Sequence, residues 1–253
     1  MPINERGLKT FSSSQETEVQ KEFLSLFENC PVPKDEVLQN IGLFTNSKML
    51  ARLLFLHHIY QLQLPIHGVI MDFGTRWGQN IAFFSALRGI YEPFNRHRKI
   101  IGFDTFQGFP PSSIGQKDGA DSVAQKGGYD VTKEYDKYLS KIMACHEKFN
   151  PMGHIKRYEV IKGDATQTLK DYLTKHTETM VSLAYFDMDL YEPTKKCLEL
   201  LKPCLNKGSV LGFDELCDET FPGETIAFKE VFGDRYRVNR LPITSRVSYI
   251  VLE

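Results

Sequence analysis

The chain has 253 residues, of which 42% are hydrophobic, and its 31 basic residues nearly balance its 32 acidic ones. This length and hydrophobic content suit one α/β domain with appended helices better than two independent domains. A net charge of −1 gives no field that would gather polyanions or dock the chain on acidic lipid, so nucleic acid and membrane partners are disfavoured. The N-terminus lacks the apolar core of a signal peptide, no apolar run approaches the ~20 residues of a membrane span, and the five cysteines form no CxxC pair. These features predict a cytoplasmic protein with reduced thiols.

The N-terminal part of the sequence predicts an arm followed by helices. Residues 1–15 are polar and serine-rich, which is typical of a flexible arm that buries too little surface to become ordered. Apolar residues at helical spacing predict helices over 16–29 and 48–62. We assign these N-terminal helices, within 16–65, to the same single domain as the remainder, 16–253.

After these helices, short apolar runs alternate with helical segments. The runs are typical of strands buried on both faces, and they cover 68–73, 100–103, 158–161, 182–186 and 209–213. Helical patterns between them cover 77–89, 165–175 and 192–201. The alternation predicts an α/β fold with a Rossmann-like, doubly wound, mostly parallel sheet. Two final strand candidates, 236–240 and 246–252, predict a C-terminal antiparallel hairpin.

Residues 107–152 interrupt this rhythm with a polar, glycine-rich stretch and a helical piece over 132–149. Long connections within compact domains are often functional loops. This one follows the second strand and should lie over the carboxyl edge of the sheet, where open α/β folds bind ligands. We interpret 107–152 as a lid insertion over the substrate, with a disordered surface insertion as the alternative.

A glycine turn follows the first strand in the segment VIMDFGTRWGQN. Gly74 and Gly78 let the backbone turn tightly and approach a ligand, although glycines also end strands for steric reasons alone. The segment is not GxGxxG, and the bulky Arg76 and Trp77 inside the turn make seating of a dinucleotide pyrophosphate unfavourable.

Three acids stand at the ends of the first three strands. Asp104 could accept two ribose hydroxyls or cap the following turn. Asp164 could read an adenine amine, cap the helix that starts at Ala165, or do both. Asp72 is then the candidate partner for an ammonium group. Three such acids around a glycine turn suit a nucleoside with a cationic tail better than a polyphosphate.

Two further pairs of acids end the fourth and fifth strands. LAYFDMDLYEPT delivers Asp187 and Asp189, and GSVLGFDEL delivers Asp214 and Glu215 to the same edge. Carboxylates so close together are stable only with protons, basic partners or a bound cation. A hard divalent ion such as Mg²⁺ is the simplest solution for oxygen ligands. The alternative is a set of solvated strand ends and helix caps.

Four segments, in this order, resemble the macrocin O-methyltransferase (TylF-type) family of class I methyltransferases: MDFGTRWGQN, IIGFDTFQGFP, FDMDLYEPT and LNKGSVLGFDE. The resemblance covers roughly residues 66–232 by order and spacing. Members of that family methylate hydroxyls of deoxysugars on natural products, and they use S-adenosylmethionine with Mg²⁺ on a Rossmann-like sheet. The layout is more distantly similar to that of catechol O-methyltransferase.

Residue by residue, the resemblance implies a metal site and a cofactor site. The implied metal ligands are Asp187, Asp214 and Glu215, where the family usually has an Asp-Asp pair in place of the last two. The implied cofactor-binding residues are Asp72, Gly74, Thr75, Gly78, Asp104, Thr105, Asp164, Ala165 and Asp187.

We therefore expect an S-adenosylmethionine-dependent, divalent-metal-assisted O-methyltransferase that acts on a hydroxyl of a sugar or a sugar-bearing small molecule. Asp187 or Asp189 is the expected base, with His146 from the insertion as another candidate. Two other functions stay open, a nicotinamide-dependent oxidoreductase on the same fold and a non-catalytic module that binds S-adenosylmethionine. The acceptor and the oligomeric state stay open as well, because the N-terminal helices could pack on a second subunit to form a homo-oligomer.

Overall fold

A computed structural model describes residues 12–110, 113–118 and 128–253. The chain divides into two compact units, Met1–Ala51 and Arg52–Glu253. None of the helices among the described residues is both long and apolar enough to cross a lipid bilayer. The five cysteines are all free.

The first unit consists of short helices. Helix α1 covers Ser14–Glu28, and its N-terminus is a capping box in which Ser13 and Glu16 accept each other's backbone N–H groups. Helix α2 covers Lys34–Gln39. Most of the predicted arm lies outside the described residues, but α1 begins before the arm was expected to end, because the capping box satisfies the first N–H groups of the helix.

The second unit contains the sheet and most of the helices. Helix α3, Ser47–Gln63, begins in the first unit and continues into the second. The remaining helices are α4 Gln79–Tyr91, α5 Tyr135–Phe149, α6 Ala165–Lys175, α7 Tyr191–Leu201 and α8 Pro222–Phe232. The strands are β1 Val69–Phe73, β2 Ile100–Asp104, β3 Tyr158–Lys162, β4 Val181–Phe186, β5 Leu205–Phe213, β6 Asn239–Arg240 and β7 Ser248–Val251.

The seven strands form one sheet in the order β3-β2-β1-β4-β5-β7-β6. Strands β1 to β5 are parallel, and β7 pairs antiparallel with both β5 and β6. The predicted Rossmann-like sheet and its closing hairpin are confirmed. The strand order reverses between β1 and β4, and open α/β sheets bind ligands at the carboxyl ends of the strands at such a point.

The C-terminal hairpin is shorter than its sequence pattern predicts. Strand β6 has two residues instead of the predicted five, and Tyr236 packs its ring against Phe232 at 5.7 Å, outside the strand ladder. Pro242 follows β6 closely and has no N–H to extend the pairing. The outer edge of the sheet is therefore a short strand.

Apolar side chains fill both faces of the sheet, and one row of rings fixes the strand register. The row consists of the phenylalanines Phe103, Phe73, Phe186 and Phe213, which are paired across adjacent strands. Neighbouring rings stack with centroids 5.0, 5.0 and 5.4 Å apart. The residues that follow them therefore form the next row, and these are Asp104, Gly74, Asp187 and Asp214. This register brings the strand-end acids to one height at the carboxyl edge.

Candidate active site

A cavity of about 350 Å³ lies at the carboxyl edge of the sheet, over the ends of β1 to β5. Its size falls at the lower end of the roughly 300–1,000 Å³ that small-molecule sites occupy. Its lining includes seven of the nine predicted cofactor-binding residues: Gly74, Thr75, Asp104, Thr105, Asp164, Ala165 and Asp187. The acids Asp189, Asp214 and Glu215 line it too. Asp72 and Gly78 are not part of the lining.

The glycine turn between β1 and α4 depends on glycine for packing against the chain itself. Gly74 and Gly78 have φ of 84° and 80°, in the left-handed region that favours glycine. A Cβ on Gly74 would collide with the carbonyl group of Asp187, and one on Gly78 would collide with Leu139. The structure therefore shows close approach between strand ends at Gly74 and between helices at Gly78, which is the steric role that the sequence left open. The predicted contact of these glycines with a cofactor stays a prediction.

Asp72 lies beneath this turn and is fully buried. Its carboxylate accepts hydrogen bonds from the Thr75 hydroxyl at 2.8 Å and the Asn80 amide at 2.9 Å, and both donors line the cavity. Burial raises the pKa of Asp72 to about 6, although the two hydrogen bonds oppose that rise. Its predicted contact with an ammonium group stays a prediction.

Asp104 ends β2 and holds two turns in place. Its carboxylate accepts the backbone N–H groups of Arg76 at 2.7 Å and Phe106 at 2.6 Å. Burial raises the pKa of Asp104, while these N–H groups favour the ionised form. The turn-capping role that the sequence left open is therefore present, and Asp104 also faces the cavity.

Asp164 is the N-cap of α6, where its side chain accepts the Thr166 N–H at 2.9 Å. It lines the cavity at the same time. Both predicted roles are geometrically compatible, because a carboxylate has lone pairs left after one capping bond.

Arg52, from α3, bridges the carboxylates at the ends of β4 and β5. Its guanidinium lies 2.8 Å from Asp187 and also donates to Asp214. Asp214 further accepts the hydroxyl of buried Tyr185 at 2.7 Å. Burial and the charge of Asp214 raise the pKa of Asp187, and Arg52 opposes them. The positive charge that these clustered acids require is therefore supplied by an arginine of the protein itself.

Arg246, from the hairpin region before β7, pairs with the next acid. Its guanidinium contacts Glu215 and lies 3.7 Å from Asp214. The backbone N–H of Glu215 donates to the buried Glu224 side chain of α8 at 2.7 Å. Burial, with the charge of Asp214, raises the pKa of Glu224 well above its ordinary value, which favours the protonated form of this carboxyl.

Asp189 differs from its neighbours in having a carboxylate without a hydrogen-bond or ion-pair partner among the described residues. It lines the cavity, is 5% exposed, and has a left-handed backbone with φ of 61°. Burial and nearby Asp214 raise the pKa of Asp189 to about 7. A carboxylate with this pKa is suited to accept a proton at neutral pH.

The predicted Mg²⁺ site does not fit this arrangement. One carboxylate oxygen of each of Asp187, Asp214 and Glu215 contacts a guanidinium group, that of Arg52 or of Arg246. Within 12–110, 113–118 and 128–253, no group of three or more His, Cys, Asp or Glu side chains is placed to hold one metal ion. The sequence correctly required a cation among these acids, but the structure supplies basic side chains where the prediction chose a metal.

Sequence reasoning missed Arg52 and Arg246 as members of the site. Arg52 is separated from Asp187 and Asp214 by 135 and 162 positions, so no local motif connects them. The one available signal was a charged residue on a helix with apolar residues around most of its circumference. His146, by contrast, is on α5 and does not line the cavity, so the geometry gives no support for it as a base.

Part of the predicted lid also faces the cavity. Phe109, Pro110, Ser113, Gly128 and Tyr129 line it. The Phe109 N–H donates to the Gly128 carbonyl at 3.1 Å, and the rings of Phe109 and Tyr129 meet edge to face at 5.3 Å. Residues 111–112 and 119–127 of the predicted lid lie outside the described residues.

Comparisons with known proteins place the chain in a family. No protein-family model and no curated protein matches it. A crystal structure of CalS11, a calicheamicin methyltransferase, is 39% identical with a TM-score of 0.92, covering 96% of this chain and 94% of that one. An apo structure of CalS11, there called a TDP-rhamnose 3′-O-methyltransferase, is 37% identical with a TM-score of 0.83 and covers 96% of both chains. The O-methyltransferase NovP, 16% identical with a TM-score of 0.55 over 78% of both chains, shares the fold. The chain therefore belongs to the O-methyltransferase family of CalS11.

Proposed function

We propose that the chain transfers the methyl group of S-adenosylmethionine to a hydroxyl of a sugar carried by a small molecule. The observation that supports this most directly is one cavity with two chemically different ends. Asp104 and Asp164, suited to a nucleoside, line the end at β2 and β3, and Asp187 and Asp189, suited to proton transfer, line the end at β4.

The nature of the acceptor is the finer part of the proposal. CalS11, over a third identical along nearly the whole chain, is described as acting on TDP-rhamnose. The resemblance of the sequence to macrocin O-methyltransferases also favours a deoxysugar. A nucleoside-diphosphate sugar is thus the acceptor class that we propose.

S-adenosylmethionine supplies an electrophilic methyl group on a sulfonium, and the protein chiefly has to align it with the acceptor oxygen. Asp104 and Asp164 line the cavity, and each carboxylate can accept further hydrogen bonds, from ribose and adenine, beyond the backbone N–H groups that it already accepts. Thr75 and Asn80, which cover Asp72, present polar groups for the methionine part. The two substrates then lie on either side of the carboxyl end of β1, at the switch point of the sheet.

We propose Asp189 as the base that takes the acceptor proton. Asp187 is held by Arg52, whereas the Asp189 carboxylate faces the cavity without a partner among the described side chains. Arg52 and Arg246 pair with Asp187, Asp214 and Glu215, so these three acids oppose the negative charge that develops on the acceptor oxygen less than free carboxylates would.

The divalent ion inferred from the resemblance is not used in this scheme, because its proposed ligands are paired with arginines. Calorimetric titration with Mg²⁺ tests whether Asp187, Asp214 and Glu215 exchange these arginines for the ion.

The test combines an activity assay with ligand binding. We expect the wild-type chain, given S-adenosylmethionine and TDP-rhamnose, to release S-adenosylhomocysteine and a sugar nucleotide that is one methyl group heavier. Asp189→Asn should lower kcat by roughly 10²–10⁴-fold while S-adenosylhomocysteine binds as before. Asparagine tolerates the left-handed backbone of this position. Asp171→Asn, at an exposed position of α6, is the matched control.

The same experiment separates the other functions. Binding of S-adenosylhomocysteine without methyl transfer to any sugar nucleotide would indicate a non-catalytic module. Oxidation of NADH with no binding of S-adenosylhomocysteine would indicate an oxidoreductase. Unchanged kcat in Asp189→Asn would refute the assignment of the base and leave the methyl transfer itself standing.

A further inference from the structure

Among the residues that the structure describes, three guanidinium groups line the cavity, and two of them are paired with acids. Arg52 contacts Asp187 and Asp214, and Arg246 contacts Glu215. Arg76 has no ion pair or side-chain hydrogen bond to any described residue, and its Nε atom is buried without a partner. A buried donor that has lost water without gaining an acceptor is unfavourable, so an acceptor from a ligand would stabilise it.

The backbone presents Arg76 at some energetic cost. Its φ of 46° is in the left-handed region, which non-glycine residues rarely adopt. The turn is held there by the bond from the Arg76 N–H to Asp104 at 2.7 Å and by flanking Gly74 and Gly78. Strained residues of this kind concentrate at ligand sites, where the surrounding structure maintains them.

Aromatic rings fix the direction of the guanidinium. Its central carbon lies 4.6 Å from the ring centroid of Tyr129 and 5.8 Å from that of Trp77. Trp77 is itself held by an edge contact at 4.7 Å with Tyr135, whose hydroxyl donates to the Trp77 carbonyl. Rings that contact the face of a guanidinium leave its N–H edge free for an anion.

We propose that Arg76 binds the anionic oxygen atoms of a ligand in this cavity, as a bidentate partner for a carboxylate or a phosphate. The inference rests on the proposed function, which supplies two sources of such oxygens. They are the carboxylate of the methionine part of the cofactor and the diphosphate of the sugar nucleotide. The fork of N–H donors in arginine matches both groups, whereas lysine offers only a point charge.

The experiment compares charged ligands with uncharged counterparts. Calorimetry measures the Kd of S-adenosylhomocysteine against methylthioadenosine, which lacks the amino acid, and of thymidine diphosphate against thymidine. The variants are Arg76→Gln and Arg76→Lys. Arg76→Gln removes the charge but keeps a long non-glycine side chain, so the strain of the backbone is similar, and Arg76→Lys keeps the charge. Arg235→Gln, at an exposed position, is the control for loss of one positive charge.

We expect Arg76→Gln to weaken one charged ligand by roughly tenfold or more, the value of a lost charged hydrogen bond. Its uncharged counterpart should change less than about twofold, and Arg76→Lys should fall between. Selective loss for S-adenosylhomocysteine identifies the cofactor carboxylate, and selective loss for thymidine diphosphate identifies the acceptor.

If each of the four ligands binds to Arg76→Gln with the same Kd as to wild type, the inference is overturned and the proposed function stays intact. Equal weakening of charged and uncharged ligands also overturns it, since that result means a distorted turn. Failure of the wild-type chain to bind S-adenosylhomocysteine at all refutes the proposed function, and the inference falls with it.

Discussion

The buried carboxyl of Asp72 makes the stability of this protein decrease as the pH rises through the acidic range. A carboxyl whose pKa is higher in the folded chain than in the unfolded chain binds more protons when folded. Folding therefore becomes less favourable as the pH rises between the two values. For Asp72 the pKa rises from 3.8 in the unfolded chain to about 6 in the folded chain. The contribution of this carboxyl to stability is therefore complete only below the lower of these two pH values, and it is lost as the pH rises through the higher one.

The size of the effect follows from that shift. A rise from 3.8 to about 6 corresponds to about 3 kcal/mol once the carboxyl is ionised in both states, at about 1.4 kcal/mol for each pH unit. Asp72→Asn removes the ionisation. The amide can keep both contacts, because its oxygen can accept from Asn80 and its nitrogen can donate to the Thr75 hydroxyl.

Urea denaturation followed by far-UV circular dichroism, repeated from about pH 4 to about pH 8, measures the effect. We expect the stability of Asp72→Asn relative to wild type to increase by about 2–3 kcal/mol across this range. Asp234→Asn, which alters an exposed acid, is the control and should show no such trend. A relative stability that is flat with pH, or that moves in favour of wild type as the pH rises, would refute the reasoning.

Three further changes test the packing and the charge pairs of the site. Arg52→Met removes the guanidinium that contacts Asp187 and Asp214 and leaves two clustered carboxylates without their positive charge, so it should cost at least about 2 kcal/mol in urea denaturation. Unchanged stability would show that this charge pair does not stabilise the fold. Gly74→Ala forces a Cβ against the Asp187 carbonyl at positive φ, and it should cost at least about 2 kcal/mol in urea denaturation. Because burial raises the pKa of Glu224 and its carboxyl accepts the Glu215 N–H, Glu224→Gln should retain stability within about 1 kcal/mol, whereas Glu224→Ala should lose about 1–3 kcal/mol by the same measurement.

The sequence predicted the sheet well because buried strands carry their own signal. The runs that became β1, β2 and β4 match the structure within a residue or two, since strands covered on both faces must be largely apolar. The edge strand β3 matches as closely although it is only partly buried. Helix α6 matches the prediction from its first residue to its last, because Asp164 provides a cap that the local sequence shows. The hairpin was predicted in the right place but with a longer β6, because its length depends on what Tyr236 packs against.

The cavity could be anticipated for the same reason. Parallel strands end at one edge, so residues directly after apolar runs converge there whatever the details of packing. The repeated Phe-Asp pair at Asp104, Asp187 and Asp214 strengthens this, because stacking of the phenylalanines sets the acids at equal height. The acids of the site were therefore within reach of sequence reasoning.

The basic side chains that pair with those acids could not be predicted from the sequence. A one-dimensional pattern shows that clustered carboxylates need a positive charge, but it does not show whether an ion or a distant side chain supplies it. The sequence determined the parallel sheet, its carboxyl edge and the acids gathered there, because each depends on contiguous residues. Only the tertiary structure decided that Arg52 and Arg246 pair with those acids, that Asp189 and Arg76 have no hydrogen-bonding side chain or ion pair among the described residues, and that glycines in the turn serve packing. These features depend on contacts between side chains that are far apart in the sequence and lie within a few ångströms of one another in the folded chain.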